Sequence, residues 1–242
     1  MVDERVVAVT GAGSGLGAAI ADAFAAQGAT VVCGDIRYNN EQDRKHCLEL
    51  DVTDSASWEE FASTIESRFG AISVLVNNAG VSARSNVLGT SDEGWDRIMR
   101  TNLWAPWKGM KVFSPQLHQT RGTIVNVGSI YGETVPPVNG EFPASVAYQV
   151  SKAGLHRLTK VAAVELASMG IRVNAVLPGV FKTSMLGDLP ESEARLRIAG
   201  APMDRAGQVR ELADAVAFLA GHQSSFVTGA LIPVDGGYLA AS

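Results

Sequence analysis

Two residues with complementary acid-base chemistry, Tyr148 and Lys152, stand four positions apart in the sequence. On a helix this spacing places both side chains on one face, so that the ammonium lies near the phenol oxygen. The pKa of a free phenol is about 10, which is high for a base at neutral pH, and a nearby cation favours the phenolate. The pair therefore suits proton transfer to and from an alcohol oxygen, although the same spacing also occurs on ordinary amphipathic helices.

A glycine-rich turn follows the first apolar run of the chain and precedes a segment with a helical pattern. Backbone N–H groups in such a turn, together with the positive end of the helix, favour binding of a pyrophosphate. An ordinary tight connection between a strand and a helix is the alternative for this feature taken alone. The glycines are Gly11, Gly13, Gly15 and Gly17.

Asp35 ends the second apolar run, where a carboxylate can accept hydrogen bonds from ribose hydroxyls. The same charge repels a 2′-phosphate, so NAD is favoured over NADP. Arg37 is the opposing feature, because it could pair with a phosphate, although an exposed surface arginine is the simpler interpretation. Ser14 adds no cation inside the turn.

The elements that must position these groups alternate along the chain. Near-continuous apolar runs are typical of strands covered on both faces, and they occur at 6–10, 30–33, 73–76, 123–127, 171–176 and 230–234. Helical patterns cover 15–27, 55–69, 94–110, 144–169 and 208–220, with no clear helix at 37–46 and an irregular region at 131–143. The alternation predicts an α/β Rossmann fold, a doubly wound parallel sheet of about seven strands, in a single domain over 1–242.

Composition excludes several classes of function. The chain has 242 residues, is 46% hydrophobic and carries a net charge of −5 with the two signs interspersed. This charge argues against a nucleic-acid surface and against a polybasic membrane patch. No apolar run reaches the roughly 20 residues that span a bilayer, and the start of the sequence lacks a signal-peptide core, so we expect a cytoplasmic protein that does not bind a membrane.

Most other conspicuous side chains have a structural interpretation. The two cysteines, Cys33 and Cys47, are too few for a disulfide framework or a conventional zinc site. The four histidines, at 46, 118, 156 and 222, show no ligand spacing, so no metal site is expected. Trp95, Trp104 and Trp107 are interpreted as packing residues.

Taken together, the motifs closely resemble those of the classical short-chain dehydrogenase/reductase family over nearly the whole chain. Each motif separately could be turn chemistry, but their joint order and spacing argue against coincidence. The matching residues are Thr10, Gly11, Gly15 and Gly17 in the first turn, Asn77-Asn78-Ala79-Gly80, Asp51, Pro178-Gly179, Thr183, and Thr228-Gly229 with Val234, Asp235, Gly236 and Gly237.

The resemblance implies a catalytic set. Tyr148 would be the general acid and base, and Lys152 would lower the pKa of Tyr148 and hold the nicotinamide ribose. Ser129 would hydrogen-bond the substrate oxygen. Asn102 would hold, through its backbone, a water molecule that links Lys152 to solvent. If the resemblance is set aside, the alternative interpretations are structural: Ser129 is a turn residue at a strand end, and Asn102 is an amide inside a helix that bonds to the backbone.

The resemblance also implies a cofactor site and an assembly. Asp51 would contact adenine, and Thr183 would bond the nicotinamide carboxamide. The helix around Asn102 and the helix that carries Tyr148 form subunit contacts in the family, so a homotetramer or homodimer is implied. The expected NAD-binding residues are Gly11, Ser14, Gly15, Leu16, Gly17, Asp35, Ile36, Asp51, Val52, Asn78, Ala79, Gly80, Tyr148, Lys152, Pro178, Gly179, Val180 and Thr183.

Three departures from the common pattern concern the substrate. The stretch between Ser129 and Tyr148 is longer than usual and includes 135–143, which should lie at the rim of the substrate pocket. Gly128 stands where a second serine is frequent. The loop after Pro178, with apolar side chains at 181, 185, 186 and 189, is expected to close over the substrate, and a mobile surface loop is the alternative for this loop and for 135–143.

The sequence thus predicts an NAD-dependent oxidoreductase that interconverts a secondary alcohol, largely apolar around the carbinol, and a ketone. An NADPH-dependent 3-oxoacyl thioester reductase is the rival within enzymes, and Asp35 disfavours it. A dinucleotide-sensing regulator without chemistry is the rival from another class, and the presence of the full catalytic set argues against it. Steroid, sugar, cyclic polyol and hydroxyacyl substrates all remain open.

Overall fold

A computed structural model describes residues 5–36, 46–136, 145–183 and 191–242 of the chain. The predicted segments 37–46 and 131–143, and the side chains at 185, 186 and 189, lie wholly or mostly outside these residues. The described strands are β1 (Val6–Thr10), β2 (Thr30–Asp35), β3 (Cys47–Glu49), β4 (Val74–Asn77), β5 (Thr123–Val127), β6 (Arg172–Pro178) and β7 (Leu231–Val234).

The helices that connect these strands cover the sheet. They are α1 (Gly15–Ala26), α2 (Ser55–Phe69), α3 (Asp92–Met99), α4 (Ala105–Thr120), α5 (Val146–Leu166), α6 (Glu191–Ala199), α7 (Val209–Ala220) and the short α8 (Tyr238–Ala241). A π-helical turn (Arg100–Trp104) joins α3 to α4, and a 3₁₀ turn (Ile130–Gly132) follows β5. No helix among the described residues is long and apolar enough to cross a bilayer.

Seven parallel strands form one sheet in the order β3-β2-β1-β4-β5-β6-β7. This confirms the predicted doubly wound α/β fold. The strand order reverses between β1 and β4, where the chain winds away in both directions. In open parallel sheets, ligands bind outside the carboxyl ends of the strands at such a point.

The sheet is buried on both faces, which explains the continuous apolar runs in the sequence. Alternate residues of each strand point to opposite sides. On one side, Ala8 and Leu75 pack with Trp58 and Phe61 of α2 and with Phe113 of α4. On the other side, a second apolar cluster joins the sheet to α1 and α7; its members include Val7, Val9, Cys33, Val76, Ile20, Phe24, Leu212 and Val216. Cys33 is therefore a buried strand residue, as predicted.

The main difference from the prediction is the helix expected at 94–110. The structure divides this segment into α3, the π turn and α4, and α4 continues to Thr120. Burial of Phe113 and Leu117 in the core carries the helix beyond the predicted end. Strand β3 and helix α6 were not predicted, because three residues are too few for a periodic signal and α6 has little amphipathic character.

Close packing of α4 on α2 depends on Gly109. A Cβ at this position would lie 2.7 Å from Cη2 of Trp58 and 3.0 Å from Oδ1 of Asn77. We expect Gly109→Ala to destabilise the protein by about 1–3 kcal/mol, the usual effect of overpacking a core, even after the gain in helix propensity. Thermal unfolding at a fixed protein concentration measures the effect.

Gly154→Ala is the matched control, because it also adds a methyl group inside a helix, at a half-buried position of α5. Its Cβ would meet Cδ2 of Leu103 at 2.9 Å, which is the flexible end of a side chain that can turn away. The midpoint of unfolding should therefore fall less for Gly154→Ala than for Gly109→Ala. Equal midpoints for the two variants would contradict this account of the α2–α4 contact.

Candidate active site

Hydrogen bonds join the ends of β1 and β4 at the point where the strand order reverses. The Thr10 hydroxyl accepts from the backbone N–H groups of Asn78 at 3.0 Å and Ala79 at 3.1 Å. In return, the Asn78 amide donates to the carbonyls of Thr10 at 2.9 Å and Gly11 at 3.0 Å. The two predicted motifs therefore form one rigid unit at the carboxyl edge of the sheet.

The glycines of the first turn allow this close approach. Gly11 has φ +63°, and a Cβ there would lie 2.7 Å from Cα of Ala79. A Cβ at Gly17 would overlap the carbonyl oxygen of Gly11. Ser14 precedes α1 in an extended conformation and makes no side-chain cap, and Leu16 is half-buried in the first turn of the helix. The helix N-terminus with this glycine-rich turn fits the phosphates of a dinucleotide.

Asp35 lies directly beside this turn. Its Oδ2 accepts a hydrogen bond from the Gly13 N–H at 2.8 Å. Ile36 follows with a 61% exposed side chain. The Asp35 carbonyl accepts from Leu50 N–H at 3.0 Å, which brings the segment after β3 to the same edge. The carboxylate is thus held beside the glycine turn, and its predicted contact with a ribose stays a prediction.

The predicted adenine contact, Asp51, stands in a tight exposed turn. Its Oδ1 accepts from the Thr53 N–H at 2.8 Å and the Thr53 hydroxyl at 2.7 Å. The next residue, Val52, is buried, and its carbonyl accepts from Nε1 of Trp58 at 2.9 Å. The core tryptophan therefore anchors the turn that presents Asp51.

Three predicted catalytic side chains converge beyond the end of β5. Ser129 follows this strand and is buried, and its hydroxyl is hydrogen-bonded to Tyr148. The Lys152 Nζ donates to the carbonyl of Val127 at 2.7 Å and lies 5.7 Å from the centre of the Tyr148 ring. A Cβ on Gly80 would be 3.7 Å from this Nζ, so the segment after β4 borders the same site.

Burial shifts the pKa values of both residues of the pair towards their neutral forms. Desolvation lowers the pKa of Lys152 to about 8. Desolvation also raises the pKa of Tyr148, and the nearby Tyr131 adds to this effect, whereas the Ser129 hydrogen bond and Arg197 act against it. Loss of solvent therefore dominates at the phenol, and the predicted lowering of its pKa by Lys152 stays a prediction.

Asn102 lies in the π turn and is completely buried. Its amide accepts from the Val81 N–H and donates to the Val81 carbonyl, both at 2.9 Å, and it donates to the Ser151 hydroxyl at 3.1 Å. The side chain thus ties the chain after β4 to helix α5. Its predicted role through the backbone stays a prediction, and a π turn is a common way to change backbone hydrogen bonding at a functional site.

The segment after β6 begins at the carboxyl edge of the sheet, and its predicted contacts with the cofactor stay a prediction. Pro178 ends the strand, the Gly179 N–H donates to Val234 at 3.0 Å, and the Val180 carbonyl accepts from Gly207 at 2.8 Å. Thr183 is half-buried at the end of this described stretch. Phe181, however, is only 7% exposed and belongs to the core cluster with α7, so it cannot close over a substrate as predicted.

Comparison with known proteins identifies the family. A sequence profile described as Enoyl-(Acyl carrier protein) reductase matches residues 11–239. The chain is 36% identical to 3-oxoacyl-(acyl-carrier-protein) reductase FabG of Thermotoga maritima, over 98% of this chain and 98% of the relative. The chain belongs to the classical short-chain dehydrogenase/reductase (SDR) family. It is an oxidoreductase that acts on CH–OH groups with a nicotinamide dinucleotide, NAD or NADP.

Two further relatives show the range of proteins similar to this SDR chain. It is 37% identical to cyclopentanol dehydrogenase of Comamonas sp., over 99% of this chain and 98% of the relative. The solved structure of ligand-free aldohexose dehydrogenase from Thermoplasma acidophilum matches with a TM-score of 0.89 and 32% identity, covering 99% of this chain and 95% of that chain.

The sequence analysis assigned no function to His156, which the structure places behind Ser129. The imidazole is buried, contacts the Glu133 carboxylate through Nδ1 at 2.7 Å, and faces the Ser129 N–H. The usable signal in the sequence was the pair Gly128 and Gly132, which leave the space that this ring fills. Among the described residues, no group of three or more His, Cys, Asp or Glu side chains could hold a metal ion.

Aromatic residues near Tyr148 also escaped the sequence analysis. Tyr131 packs edge-on against Tyr238 of α8, with ring centres 6.2 Å apart. The Arg197 guanidinium of α6 lies 5.6 Å from the centre of the Tyr131 ring. The C-terminal part of this SDR enzyme therefore borders the catalytic tyrosine candidate, although these residues are far from it in sequence.

The shifted pKa of Lys152 predicts a stability that depends on pH. Because the pKa is about 8 in the folded protein and 10.5 ordinarily, the unfolded chain binds more protons between these values, and stability rises with pH there. Below pH 8 the folded state carries the full penalty of the buried ammonium, about 3 kcal/mol at 1.36 kcal/mol per pKa unit. Lys152→Met should remove this penalty.

The measurement is the unfolding free energy of Lys152→Met relative to wild type at pH 7 and pH 10. We expect the variant to gain about 2.5 kcal/mol more at pH 7 than at pH 10, because part of the penalty remains at pH 10, below the ordinary pKa of 10.5. Lys111→Met removes an exposed lysine from α4 and corrects for the general effect of one lost positive charge. A stability difference that is the same at both pH values would contradict the burial argument.

Proposed function

We propose that this SDR enzyme is an NAD-dependent oxidoreductase that interconverts a secondary alcohol and a ketone. The observation that carries the proposal is the convergence of Ser129, Tyr148 and Lys152 at the sheet edge that also holds the glycine turn and Asp35. Acid-base chemistry and dinucleotide recognition would then share one cleft, and the bound dinucleotide would supply the hydride acceptor or donor.

Each residue of the set has a distinct task in this proposal. Tyr148 takes the hydroxyl proton when an alcohol is oxidised, and gives a proton to the oxygen when a ketone is reduced. Ser129 donates a hydrogen bond to the same oxygen and keeps it within reach of the phenol. The Lys152 ammonium, held by the Val127 carbonyl, lies where it can hold ribose hydroxyls and stabilise negative charge on Tyr148.

Asp35 supports NAD as the cofactor. A carboxylate fixed by the Gly13 N–H would accept hydrogen bonds from the adenosine ribose and repel a phosphate at the 2′ position. The predicted contacts of Asp51 with adenine and of Thr183 with the nicotinamide carboxamide belong to the same proposal.

A 3-oxoacyl thioester reductase is the second candidate. Its support is the 36% identity to the Thermotoga maritima protein named for that activity. The fixed carboxylate at Asp35 opposes it, if the reaction depends on NADPH. The similarity to cyclopentanol dehydrogenase instead supports a small, mainly apolar alcohol.

We also propose that the enzyme is one catalytic domain that assembles as a homotetramer or homodimer. A face formed by the π turn, α4 and α5 exposes apolar side chains that the folded chain leaves uncovered. Trp107 is 42% exposed there and packs against Trp104, with ring centres 6.2 Å apart; Val150, Val161 and Val164 on α5 are also exposed. A second copy is the occupant that this proposal assigns to the face.

Replacement of the tyrosine tests the proposed chemistry. We expect Tyr148→Phe to keep the fold and NADH binding but to lower kcat by at least about 100-fold, because only the acid-base oxygen is lost. Oxidation of cyclopentanol and a panel of other secondary alcohols, followed by NADH fluorescence, measures turnover. Lys152→Ala should lower turnover and weaken NADH binding together, because the lysine has two tasks.

Tyr238→Phe is the control, since it removes a phenol hydroxyl from the same neighbourhood without touching the acid-base pair. Its turnover should stay within a few-fold of wild type. If Tyr148→Phe kept wild-type turnover in a step limited by chemistry, the catalytic assignment would fail. If wild type bound NADH tightly but reacted with no alcohol or ketone, the sensing regulator would replace the enzyme.

Substitution of Asp35 tests the cofactor assignment. A carboxylate about 4 Å from a phosphate costs roughly 4 kcal/mol per unit charge at an effective dielectric of 20. Solvent reduces this repulsion, so we expect wild type to prefer NAD by at least about tenfold in kcat/KM. Asp35→Ser should shrink the preference, mainly by improving the use of NADP.

Asp51→Ser is the matched control for the loss of a carboxylate at this edge. It should change kcat/KM for NAD and for NADP by similar factors, because the adenine is common to both. Steady-state kinetics with both cofactors decide the outcome. A preference of wild type for NADP would refute the assignment and favour the thioester reductase.

A further inference from the structure

His156 lies one helical turn beyond Lys152 on α5 and is 3% exposed. Both ring nitrogens have defined neighbours. Nδ1 is 2.7 Å from Oε1 of Glu133, and Nε2 is 3.4 Å from the backbone nitrogen of Ser129. The imidazole therefore bridges the carboxylate at the end of the 3₁₀ turn and the backbone of the serine that contacts Tyr148.

These neighbours determine which nitrogen carries the proton. The Ser129 N–H can only donate, so Nε2 must present its lone pair. The proton of the neutral ring then lies on Nδ1 and is donated to the Glu133 carboxylate. In the imidazolium form, an Nε2–H would face the Ser129 N–H, and the contact would become repulsive.

Two glycines leave the space that the His156 ring occupies. A Cβ at Gly128 would lie 2.6 Å from Nε2, and a Cβ at Gly132 would lie 2.9 Å from Nδ1. The same Cβ at Gly128 would lie 2.7 Å from Cδ2 of Leu177 on β6. The absence of side chains at both glycines lets the imidazole reach the backbone at the end of β5.

Ser129 is held at two points as a result. Its N–H faces Nε2 of His156, while its hydroxyl accepts from the Tyr131 N–H at 3.1 Å and is hydrogen-bonded to Tyr148. The orientation of the backbone at Ser129 decides where the Cα–Cβ bond points. A shift of the N–H therefore moves the hydroxyl relative to the phenol and to the substrate oxygen.

We propose that His156 is a positioning residue for Ser129: the neutral ring, oriented by Glu133, holds the Ser129 backbone so that its hydroxyl aims at the reacting oxygen. The role in turnover rests on the proposed function, whereas the hydrogen-bonded arrangement does not. His156 touches neither substrate nor cofactor in this proposal.

Acid pH should weaken the hydrogen bond between the Ser129 N–H and His156, because protonation of the ring removes the acceptor. The charged groups that act on the ring are Glu133 from the 3₁₀ turn and Lys152 and Lys160 from α5 itself, and β6 contributes only apolar Leu177 to the contacts described above. Burial and the two lysines lower the pKa of His156 below its ordinary 6.5, against the opposing effect of Glu133. The neutral, positioning form is thus present at neutral pH and is lost as pH falls through this lowered pKa.

Nuclear magnetic resonance of the protein without substrate tests the arrangement independently of turnover. With ¹⁵N-labelled histidine, His156 should show the neutral form with its proton on Nδ1 at pH 8. With ¹⁵N-labelled serine, the Ser129 amide signal should shift with the same midpoint as His156 on acidification. Glu133→Gln should lower that midpoint, because the carboxylate no longer stabilises the imidazolium.

The control in this experiment is His118→Gln, which removes an exposed histidine bonded to the Met169 carbonyl. It should leave the Ser129 signal and its midpoint unchanged, whereas His156→Gln should abolish the shift. A proton on Nε2 at pH 8, or a Ser129 amide that ignores the titration of His156, would overturn the proposal. If replacement of the buried His156 prevents folding, the midpoint measured in Glu133→Gln still tests the proposal.

Kinetics test the consequence for the reaction. Reduction of cyclopentanone by NADH, or of another ketone that wild type reduces, needs the protonated tyrosine, so Tyr148 does not limit the rate at acid pH. We expect His156→Leu to lower kcat about tenfold at pH 8, the usual scale of one lost hydrogen bond, with an unchanged Kd for NADH. His156→Gln, whose side-chain oxygen can accept from Ser129, should recover most of this loss and remove the decline of kcat/KM at acid pH.

The outcomes separate this proposal from the proposed function. A folded His156→Leu with wild-type kcat, or a Glu133→Gln whose acid decline does not move to lower pH, would refute the positioning role. If wild type reduces no ketone, the proposed function fails, and the tautomer and the Ser129 titration still decide the hydrogen-bonded arrangement.

Discussion

The arrangement of the whole site depends on the hydrogen bonds between Thr10 and Asn78 at the reversal of strand order. Parallel strands β1 and β4 separate there, and nothing in the sheet itself would hold the two following turns together. The hydroxyl and the amide satisfy the backbone groups that the strands leave open. One side of the cleft can then present the glycine turn and Asp35, while the other presents Ser129 and Lys152.

Burial governs the chemistry on that second side. Lys152 donates a hydrogen bond to the carbonyl of Val127, and its desolvation lowers the pKa to about 8. The same lack of solvent raises the pKa of Tyr148. Burial therefore favours the protonated phenol, which is the form that the proposed ketone reduction requires. Alcohol oxidation requires additional stabilisation of the phenolate, and the nearby ammonium and Ser129 are the groups placed to give it.

Sequence reasoning was most successful where a motif combines local geometry with chemistry. Gly11 and Gly17 are required because a Cβ at either position would block a close contact. Their spacing in the sequence therefore predicts the turn without a structure. Sequence reasoning failed where burial depends on distant elements. Phe181 is as apolar in the sequence as a pocket residue would be, but contact with Gly207 places it in the core.

The sequence by itself determined the alternation of strands and helices, the parallel sheet, and the residues that come to its carboxyl edge, because hydrophobic periodicity and turn glycines are local signals. Tyr148 and Lys152 were named because they share one helical face, whereas Ser129 and Asn102 were named through the resemblance to the family. Only the tertiary structure decided how these groups are tuned. The pKa directions of Tyr148 and Lys152, and the contact of His156 with Ser129, arise from solvent exclusion and from contacts between α5 and the end of β5, and no local spacing encodes them.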